Sequence, residues 1–168
     1  MWRPMTRADL AAVAHIAAEV HPDYPEDAAV FEERLRLYPA GCHVHAAGAA
    51  ITGYILSHPW LDRQPPALNT LLGAIPANAD TYYIHDIALL RQSRGQDAAR
   101  AILNQIIALA RQSGFKNLSL IAVNGSAVFW RKHGFEIVQD AALDEKLKSY
   151  DAQARFMRLD LSTRHGDT

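Results

Sequence analysis

Three side chains near the middle of the chain could move a proton: Tyr83, His85 and Asp86. An imidazole, a carboxylate or a phenol can accept or donate a proton in a catalysed reaction. All three lie in a run of β-branched, aromatic and aliphatic residues that predicts a buried strand over Thr81–Leu90. Because side chains alternate along a strand, His85 and Asp86 point to opposite faces, and only one of them can face a given cleft.

Each of these residues also has a purely structural interpretation, and the sequence leaves the choice open. Asp86 could be a carboxylate held by backbone groups or by a nearby arginine, His85 a packed and hydrogen-bonded imidazole, and Tyr83 a core residue. Tyr83 shares the strand face of His85, so it reaches the substrate side only if that face does. The three are therefore candidate catalytic residues.

The predicted strand leads through a turn containing Arg94 and Gly95 into the clearest helix of the chain. The first N–H groups of a helix lack partners and carry a partial positive charge, so they can hold a phosphate or pyrophosphate. A glycine lets the backbone approach such a ligand closely. The alternative is an ordinary connection between a strand and a helix.

The elements that must position these residues follow from hydrophobic periodicity and from turn residues. Strands are predicted at Met1–Pro4, Cys42–Ala46, Ala50–Ser57, Thr81–Leu90, Leu118–Val123, Glu136–Val138 and Arg155–Leu161, and helices at Ala8–Val20, Glu26–Leu37, from Gly95 to Gly114 and at Ser126–Lys132. The proline-rich segment His58–Ala79 contains too many apolar residues for a flexible linker, so it is predicted to be an ordered insertion. This order predicts an α+β (mixed α/β) fold in which helices cover a twisted sheet.

Two runs of residues resemble the signatures of one family, the GNAT superfamily of N-acetyltransferases. His85–Leu103 resembles its acyl-CoA-binding motif, in which a strand is followed by a glycine-containing turn that opens a helix. Val123–Phe135 resembles its second motif, which has an aromatic pair, a few polar residues and Gly-Phe. The two runs come in the family's order, and the predicted elements fit the whole domain. The resemblance implies a GNAT-like acyl-CoA N-acyltransferase fold, with a splayed central mixed sheet flanked by helices.

The resemblance also implies where the acyl donor, acetyl-CoA, would bind. Pantetheine would lie between the strands Thr81–Leu90 and Leu118–Val123. The residues expected to contact the donor are Ile87, Ala88 and Leu89 through their backbone, Arg94, Gly95, Gln96, Asp97, Ala98 and Ala99 around the pyrophosphate, and Asn124, Ser126 and Trp130 from the second motif. In the family the first two helices and nearby loops shape the acceptor side, which here gives Tyr24, Trp60, Leu68 and Asn69 as expected lining residues.

The sequence departs from the family pattern at two positions. Asp97 stands where the first motif has its central glycine, and a carboxylate there repels a pyrophosphate. An acidic residue at a helix start also stabilises the helix by about 0.3–1 kcal/mol, so Asp97 and a phosphate would compete for the same positive end. Trp130 stands where many members have a tyrosine that protonates the leaving thiolate, and an indole cannot do so.

Composition excludes several other classes of protein. The 168 residues carry 17 Lys+Arg and 18 Asp+Glu, a formal net charge of −1, which argues against a nucleic-acid partner or an anionic membrane surface. Cys42 is the single cysteine, so no disulfide framework is expected, and His43 and His45 lack a third metal ligand at suitable spacing. No apolar run reaches the length of a membrane span, and the first residues do not resemble a signal peptide, which leads us to expect a cytoplasmic protein.

Taken together, the sequence predicts one domain over residues 1–161 followed by a frayed tail at 162–168. Its expected function is direct transfer of an acetyl group from acetyl-CoA to a primary amine of a small molecule, peptide or protein. Two alternatives remain: a CoA-binding regulatory module without catalysis, suggested by Asp97 and Trp130, and an interaction domain that uses the insertion 59–79. A homodimer also stays open.

Overall fold

In a computed structural model, the described residues are 1–95, 97–123, 125–148 and 150–161. The strands are β1 (Trp2–Pro4), β2 (Cys42–Ala47), β3 (Ala50–Trp60), β4 (Thr81–Leu89), β5 (Asn117–Ala122), β6 (Glu136–Ile137) and β7 (Arg155–Asp160). The helices are α1 (Leu10–Val20), α2 (Ala28–Leu37), α3 (Ala98–Gln112), α4 (Ala127–Lys132) and α5 (Ala141–Leu147). Within these ranges no helix is long and apolar enough to cross a membrane.

Hydrogen bonds link the seven strands into one mixed sheet with the order β1-β2-β3-β4-β5-β7-β6. The pairs β1–β2, β2–β3, β5–β7 and β6–β7 are antiparallel. The β4–β5 pair is parallel, with Tyr82 opposite Leu118 and Tyr83 opposite Ser119. A mixed sheet flanked by helices confirms the predicted α+β class.

The chain forms two compact units. The first contains Met1–His58, Pro66–Ile75 and Ile84–Ile106, and the second contains Pro59–Pro65, Pro76–Tyr83 and the chain from Ile107 onward. β4 and α3 each contribute residues to both units. The expectation of one domain over residues 1–161 stays a prediction.

The core of the first unit joins α1 and α2 to its strands. Its buried members are Met5, Val13, Ile16, Phe31, Leu35, Cys42, Val44, Tyr54, Leu56 and Ala88. Complete burial of a Val, Leu, Ile or Phe side chain contributes about 1.5–3 kcal/mol, so this cluster fixes the ends of α1 and α2 relative to β3 and β4.

The second unit has a smaller core that includes a helix the sequence reading missed. Leu143 and Leu147 of α5 pack with Ala154 and with Phe156 of β7. The carboxylate of Asp140 caps α5 by accepting the backbone N–H of Leu143 at 3.1 Å. Two leucines one turn apart in a polar stretch give too little periodicity to predict a helix. Tertiary packing of these leucines stabilises the helix instead.

All four predicted helix starts are too early: α1 begins at Leu10 rather than Ala8, and α4 begins at Ala127 rather than Ser126. α2 begins at Ala28 rather than Glu26, because Asp27 before it has an extended backbone with ψ of 152°. α3 begins at Ala98 rather than Gly95, because Gly95 and Asp97 adopt left-handed conformations with φ of +78° and +58°. A right-handed helix cannot include either conformation. β3 also runs on to Trp60, past the predicted end at Ser57.

Candidate active site

β4 places the carboxylate of Asp86 in the first unit between two donors from other elements. The hydroxyl of Tyr54, on β3, donates to Asp86 Oδ2. Nε2 of His21 lies 2.8 Å from Asp86 Oδ1. His21 directly follows α1, and its backbone N–H bonds to the Ala17 carbonyl at 2.8 Å, as in the last turn of the helix. The helix end therefore fixes the imidazole against the strand.

Burial and pairing act against each other in this group. Burial disfavours the charged form of Asp86, but hydrogen bonding and attraction from His21 outweigh it, so the pKa of Asp86 is lowered. Burial also works against charged His21, yet the Asp86 carboxylate raises the pKa of His21 above its ordinary value. Tyr54 is fully buried beside that carboxylate, and both effects hold its pKa well above the usual value. Tyr54 thus stays a neutral donor to an ionised Asp86.

A second histidine–carboxylate pair joins β4 to the connection between α1 and α2. Nε2 of His85 is 2.8 Å from Oε1 of Glu26, and the two side chains are 8% and 6% exposed. Glu26 Oε2 accepts the backbone N–H of Asn69 at 3.0 Å, and the Asn69 side chain accepts the N–H of Asp27 at 2.7 Å. Burial raises the pKa of Glu26, but these donors, His85 first among them, lower it overall.

The sequence expected only one of His85 and Asp86 to face a given cleft. In the structure both side chains are held by the same segment, His85 by Glu26 and Asp86 by His21. Tyr83 is placed differently: it is 3% exposed, lies in the second unit and stands opposite Ser119 in β5. The structure therefore brings two of the three candidate catalytic residues together with residues that sequence reasoning did not select.

The turn before α3 keeps the backbone shape of a glycine-rich motif. Arg94, Gly95 and Asp97 are exposed, while Ala98 is buried and Ala99 half-buried. A side chain on Gly95 would meet nothing within 4 Å, so this turn is open. Asp97 has the left-handed φ of +58° that a glycine would take easily, and its carbonyl accepts the Ala101 N–H at 3.0 Å as a helix cap does. Gln96 lies outside the described residues.

Some backbone groups expected to meet the pantetheine arm already have partners. The carbonyl of Ile87 lies 3.3 Å from His21 Nε2, and the carbonyl of Leu89 accepts Nε of Arg94 at 2.9 Å. Ala88 is 3% exposed and belongs to the core of the first unit. Pairing of a cofactor with this stretch stays a prediction.

The residues expected from the second motif lie in the second unit. Ser126 precedes α4, and its carbonyl accepts the N–H of Trp130 at 3.2 Å. Trp130 is 6% exposed, with its ring 5.4 Å from Phe135 and 5.0 Å from Phe129. Trp130 thus has a packing role whether or not it also contacts a cofactor. Asn124 lies outside the described residues.

Cys42 and His45, both in β2, have structural roles. Cys42 is fully buried, and burial raises the pKa of its thiol to about 12. His45 bonds through one ring nitrogen to Thr52 and through the other to the N-terminal amine, at 2.8 and 3.0 Å. In the described parts of the chain, no cluster of three or more His, Cys, Asp or Glu side chains could hold a metal ion.

His21, Glu26 and Tyr54 are the residues of this cluster that the sequence analysis did not assign a role. The expected acceptor-side residues included Asn69, which does bond with Asp27 and Glu26. The sequence around Tyr54 does not identify it as a site residue. It lies in an apolar strand, and its hydrogen-bond partner Asp86 is 32 residues away.

This architecture, with a mixed seven-stranded sheet and an open glycine turn leading into the long helix after β4, is that of an acyl-CoA N-acyltransferase fold. The sequence profile of the "Acetyltransferase (GNAT) family" matches residues 7–135, and the chain belongs to that family. No curated protein sequence matches the chain.

Solved structures agree on the fold at low sequence identity. The "GphF GNAT-like decarboxylase in complex with isobutyryl-CoA" has a TM-score of 0.77 at 17% identity, covering 96% of this chain and 99% of its own. The "NatC complex bound to Gag peptide and CoA" has a TM-score of 0.70 at 16% identity, with 96% and 98% covered. Naa20 from Chaetomium thermophilum "in complex with a bisubstrate analogue" has a TM-score of 0.67 at 17% identity, with 98% and 90% covered.

Proposed function

We propose that the protein is an N-acetyltransferase that moves an acetyl group from acetyl-CoA to a primary amine of a small molecule, peptide or protein. The observation that carries this proposal is the carboxylate of Asp86 on β4, held by His21 and Tyr54 in a member of the GNAT family. An amine arrives as an ammonium ion and must lose a proton before it can attack. The Asp86 carboxylate of β4, bonded to the imidazole of His21, is suited to accepting a proton from the amine.

Arg94 and Gly95 of the turn before α3 fit the pyrophosphate of an acyl-CoA, whereas the Asp97 carboxylate opposes it. Arg94 and Gly95 are exposed, nothing fills the space beside Gly95, and α3 begins with N–H groups that have no partner inside the helix. Arg94 supplies a positive charge next to the partial charge of the helix start. Acyl-CoA would supply an activated thioester carbonyl. The chain's own part is to bind the donor, to position the amine and to accept its proton.

Two proteins of similar fold guide the choice of acceptors. The NatC complex is described as bound to a peptide and CoA, and Naa20 as bound to a bisubstrate analogue. Both favour a peptide amine among the acceptors to test. Trp130 offers no proton to a thiolate, but a thiolate is a stable leaving group, so water can complete that step.

A titration followed by a release assay tests this function. The melting temperature is measured against acetyl-CoA and against CoA, and thiol release is then followed over a panel of small amines and peptides. We expect both ligands to stabilise the protein and thiol release to depend on an amine. Stabilisation without amine-dependent release would favour a CoA-binding module without catalysis. No stabilisation by either ligand would reject both the acetyltransferase and the CoA-binding module.

A further inference from the structure

His21 has a fixed ring orientation with one nitrogen facing two acceptors. Its Nε2 lies 2.8 Å from Asp86 Oδ1 and 3.3 Å from the carbonyl oxygen of Ile87. A carboxylate and a carbonyl both accept hydrogen bonds, so Nε2 must carry the hydrogen in the neutral ring. The Ile87 carbonyl disfavours the reverse arrangement because it has no proton to give.

The lone pair of the neutral ring is consequently on Nδ1. Among the described residues, no hydrogen-bond partner is found at Nδ1. The side chain of His21 is 25% exposed, against 17% for Asp86, so the imidazole is the more accessible member of the pair. A carboxylate that fixes one ring nitrogen leaves the other as a base with a defined direction.

We propose that His21 is the general base of this protein and that Asp86 is its positioning residue, held in turn by Tyr54. The inference rests on the proposed acetyl transfer and deepens it. As the amine nitrogen bonds to the thioester carbonyl carbon, its proton passes to Nδ1 of His21. The carbon–sulfur bond then breaks, and the thiolate takes a proton back from the imidazolium through solvent, so that the free amine and the acyl thioester become an amide and a thiol.

The surrounding charges are compatible with this role. Asp86 contacts His21 from β4, and Glu26 acts on His21 from the connection between α1 and α2. His85 on β4 and Tyr54 on β3 act on Asp86. Of these, Glu26 is already paired with His85 at 2.8 Å and Asp86 accepts the Tyr54 hydroxyl. The two carboxylates favour the protonated imidazolium that forms as the proton is accepted.

Kinetics of the variant His21→Gln test this assignment. A glutamine amide can still donate to Asp86 from the position of Nε2, but it cannot accept a proton. We expect kcat/KM for the amine to fall by about a hundredfold to ten-thousandfold, while CoA binding is unchanged. In the wild type kcat/KM should rise with pH through the pKa of His21, and this limb should vanish in the variant. His15→Gln, at an exposed position of α1, is the matched control and should behave as the wild type.

The variant Asp86→Asn tests whether Asp86 positions His21 for catalysis or only stabilises the fold. Loss of the carboxylate should lower the pKa of His21, so the rising limb should move to lower pH while the rate falls. A profile that keeps its wild-type midpoint in Asp86→Asn, or activity that persists in His21→Gln, would overturn the assignment.

The tautomer of His21 can be measured without any substrate. Long-range proton–nitrogen NMR correlations of the histidine-labelled protein, with His21→Gln used to assign the signal, should show hydrogen on Nε2 and a lone pair on Nδ1. The spectra are recorded above the pKa of His21, where the ring is neutral, and hydrogen on Nδ1 there would overturn the proposal. Wild-type protein that releases no thiol with any amine would reject the proposed function and this inference together. An active wild type with an equally active His21→Gln variant would reject the inference alone.

Discussion

The chemistry of the cluster depends on single atoms of residues that are far apart in sequence. Asp86 is accessible to reasoning from the sequence because it follows His85 in a recognisable strand. Its partners His21 and Tyr54 are 65 and 32 residues away, and their identity depends on where α1 ends and on the position of β3. An isolated ionised carboxylate is costly to bury, and these two donors are the reason that Asp86 remains charged.

Asp97 replaces the glycine of the family motif but keeps a backbone conformation that glycine adopts easily. Its φ of +58° keeps the backbone shape of a motif glycine, although an L side chain makes that shape less favourable. Asp97→Gly should therefore bind acetyl-CoA about fivefold more tightly, through loss of a repulsion worth up to about 1 kcal/mol at the helix start. Isothermal titration calorimetry measures this change.

Asp97→Asn is the matched control, since it removes the charge and tolerates the left-handed backbone. An equal gain from both variants would assign the effect to charge, whereas a gain from glycine alone would assign it to the backbone. Unchanged or weaker affinity in both variants would contradict the account of Asp97 as an obstacle to the pyrophosphate.

At the scale of elements, α2 holds part of the proline-rich insertion in place through buried polar groups. The Glu33 carboxylate accepts the backbone N–H groups of Leu72 and Gly73 at 2.6 and 3.0 Å. Arg34, which is 1% exposed, bonds to Glu33 at 3.0 Å and donates to the Thr70 carbonyl at 3.1 Å. These bonds explain how a segment without helix or strand can be ordered, as the sequence predicted.

Glu33→Gln should weaken this attachment. One carboxylate oxygen becomes an N–H₂ group that cannot accept, so a buried backbone donor or the buried guanidinium loses a partner, at a cost of about 1–3 kcal/mol. Denaturant unfolding measures the loss, and proteolysis should cut faster within 66–75. Glu32→Gln is the control: Glu32 is exposed and its ion pair with Arg7, at 3.5 Å, should be worth less than about 1 kcal/mol. Equal stability of the two variants would contradict this role for Glu33.

Elements with strong periodicity were predictable from the sequence, and those that depend on tertiary contacts were not. α3 shows an apolar stripe over several turns and was found, though Gly95 and Asp97 delay its start. α5 offers only Leu143 and Leu147, so the sequence could not distinguish it from a loop. The same division holds for the site: motif residues such as Arg94 could be named, whereas His21 required knowing where the end of α1 meets β4.

Across the protein, folding shifts the pKa values of different ionisable groups in opposite directions. The free energy of unfolding should therefore pass through a maximum as the pH is raised. The pKa values of Asp86, Glu26 and Glu33 are lowered, and that of Asp9 falls to about 2, chiefly through its bond with Arg3. A carboxyl group has a pKa near 4 in the unfolded chain, and a lower pKa in the folded protein stabilises the fold at pH values above 4. This contribution is lost as the pH falls through the folded pKa. Burial also lowers the pKa of His43 and His45, so stability rises with pH up to 6.5 as these rings lose their proton.

His21 reverses the trend on the alkaline side. Its folded pKa lies above the ordinary 6.5, so its contribution is complete below 6.5 and is lost as pH rises through the folded value. Stability measured by urea unfolding should therefore peak near pH 6.5 and decline above it. His21→Gln should remove the decline, whereas His15→Gln should keep it. A decline that survives in His21→Gln would show that Asp86 does not hold a proton on His21 in the folded protein, and the pairing that positions the proposed base would then be wrong.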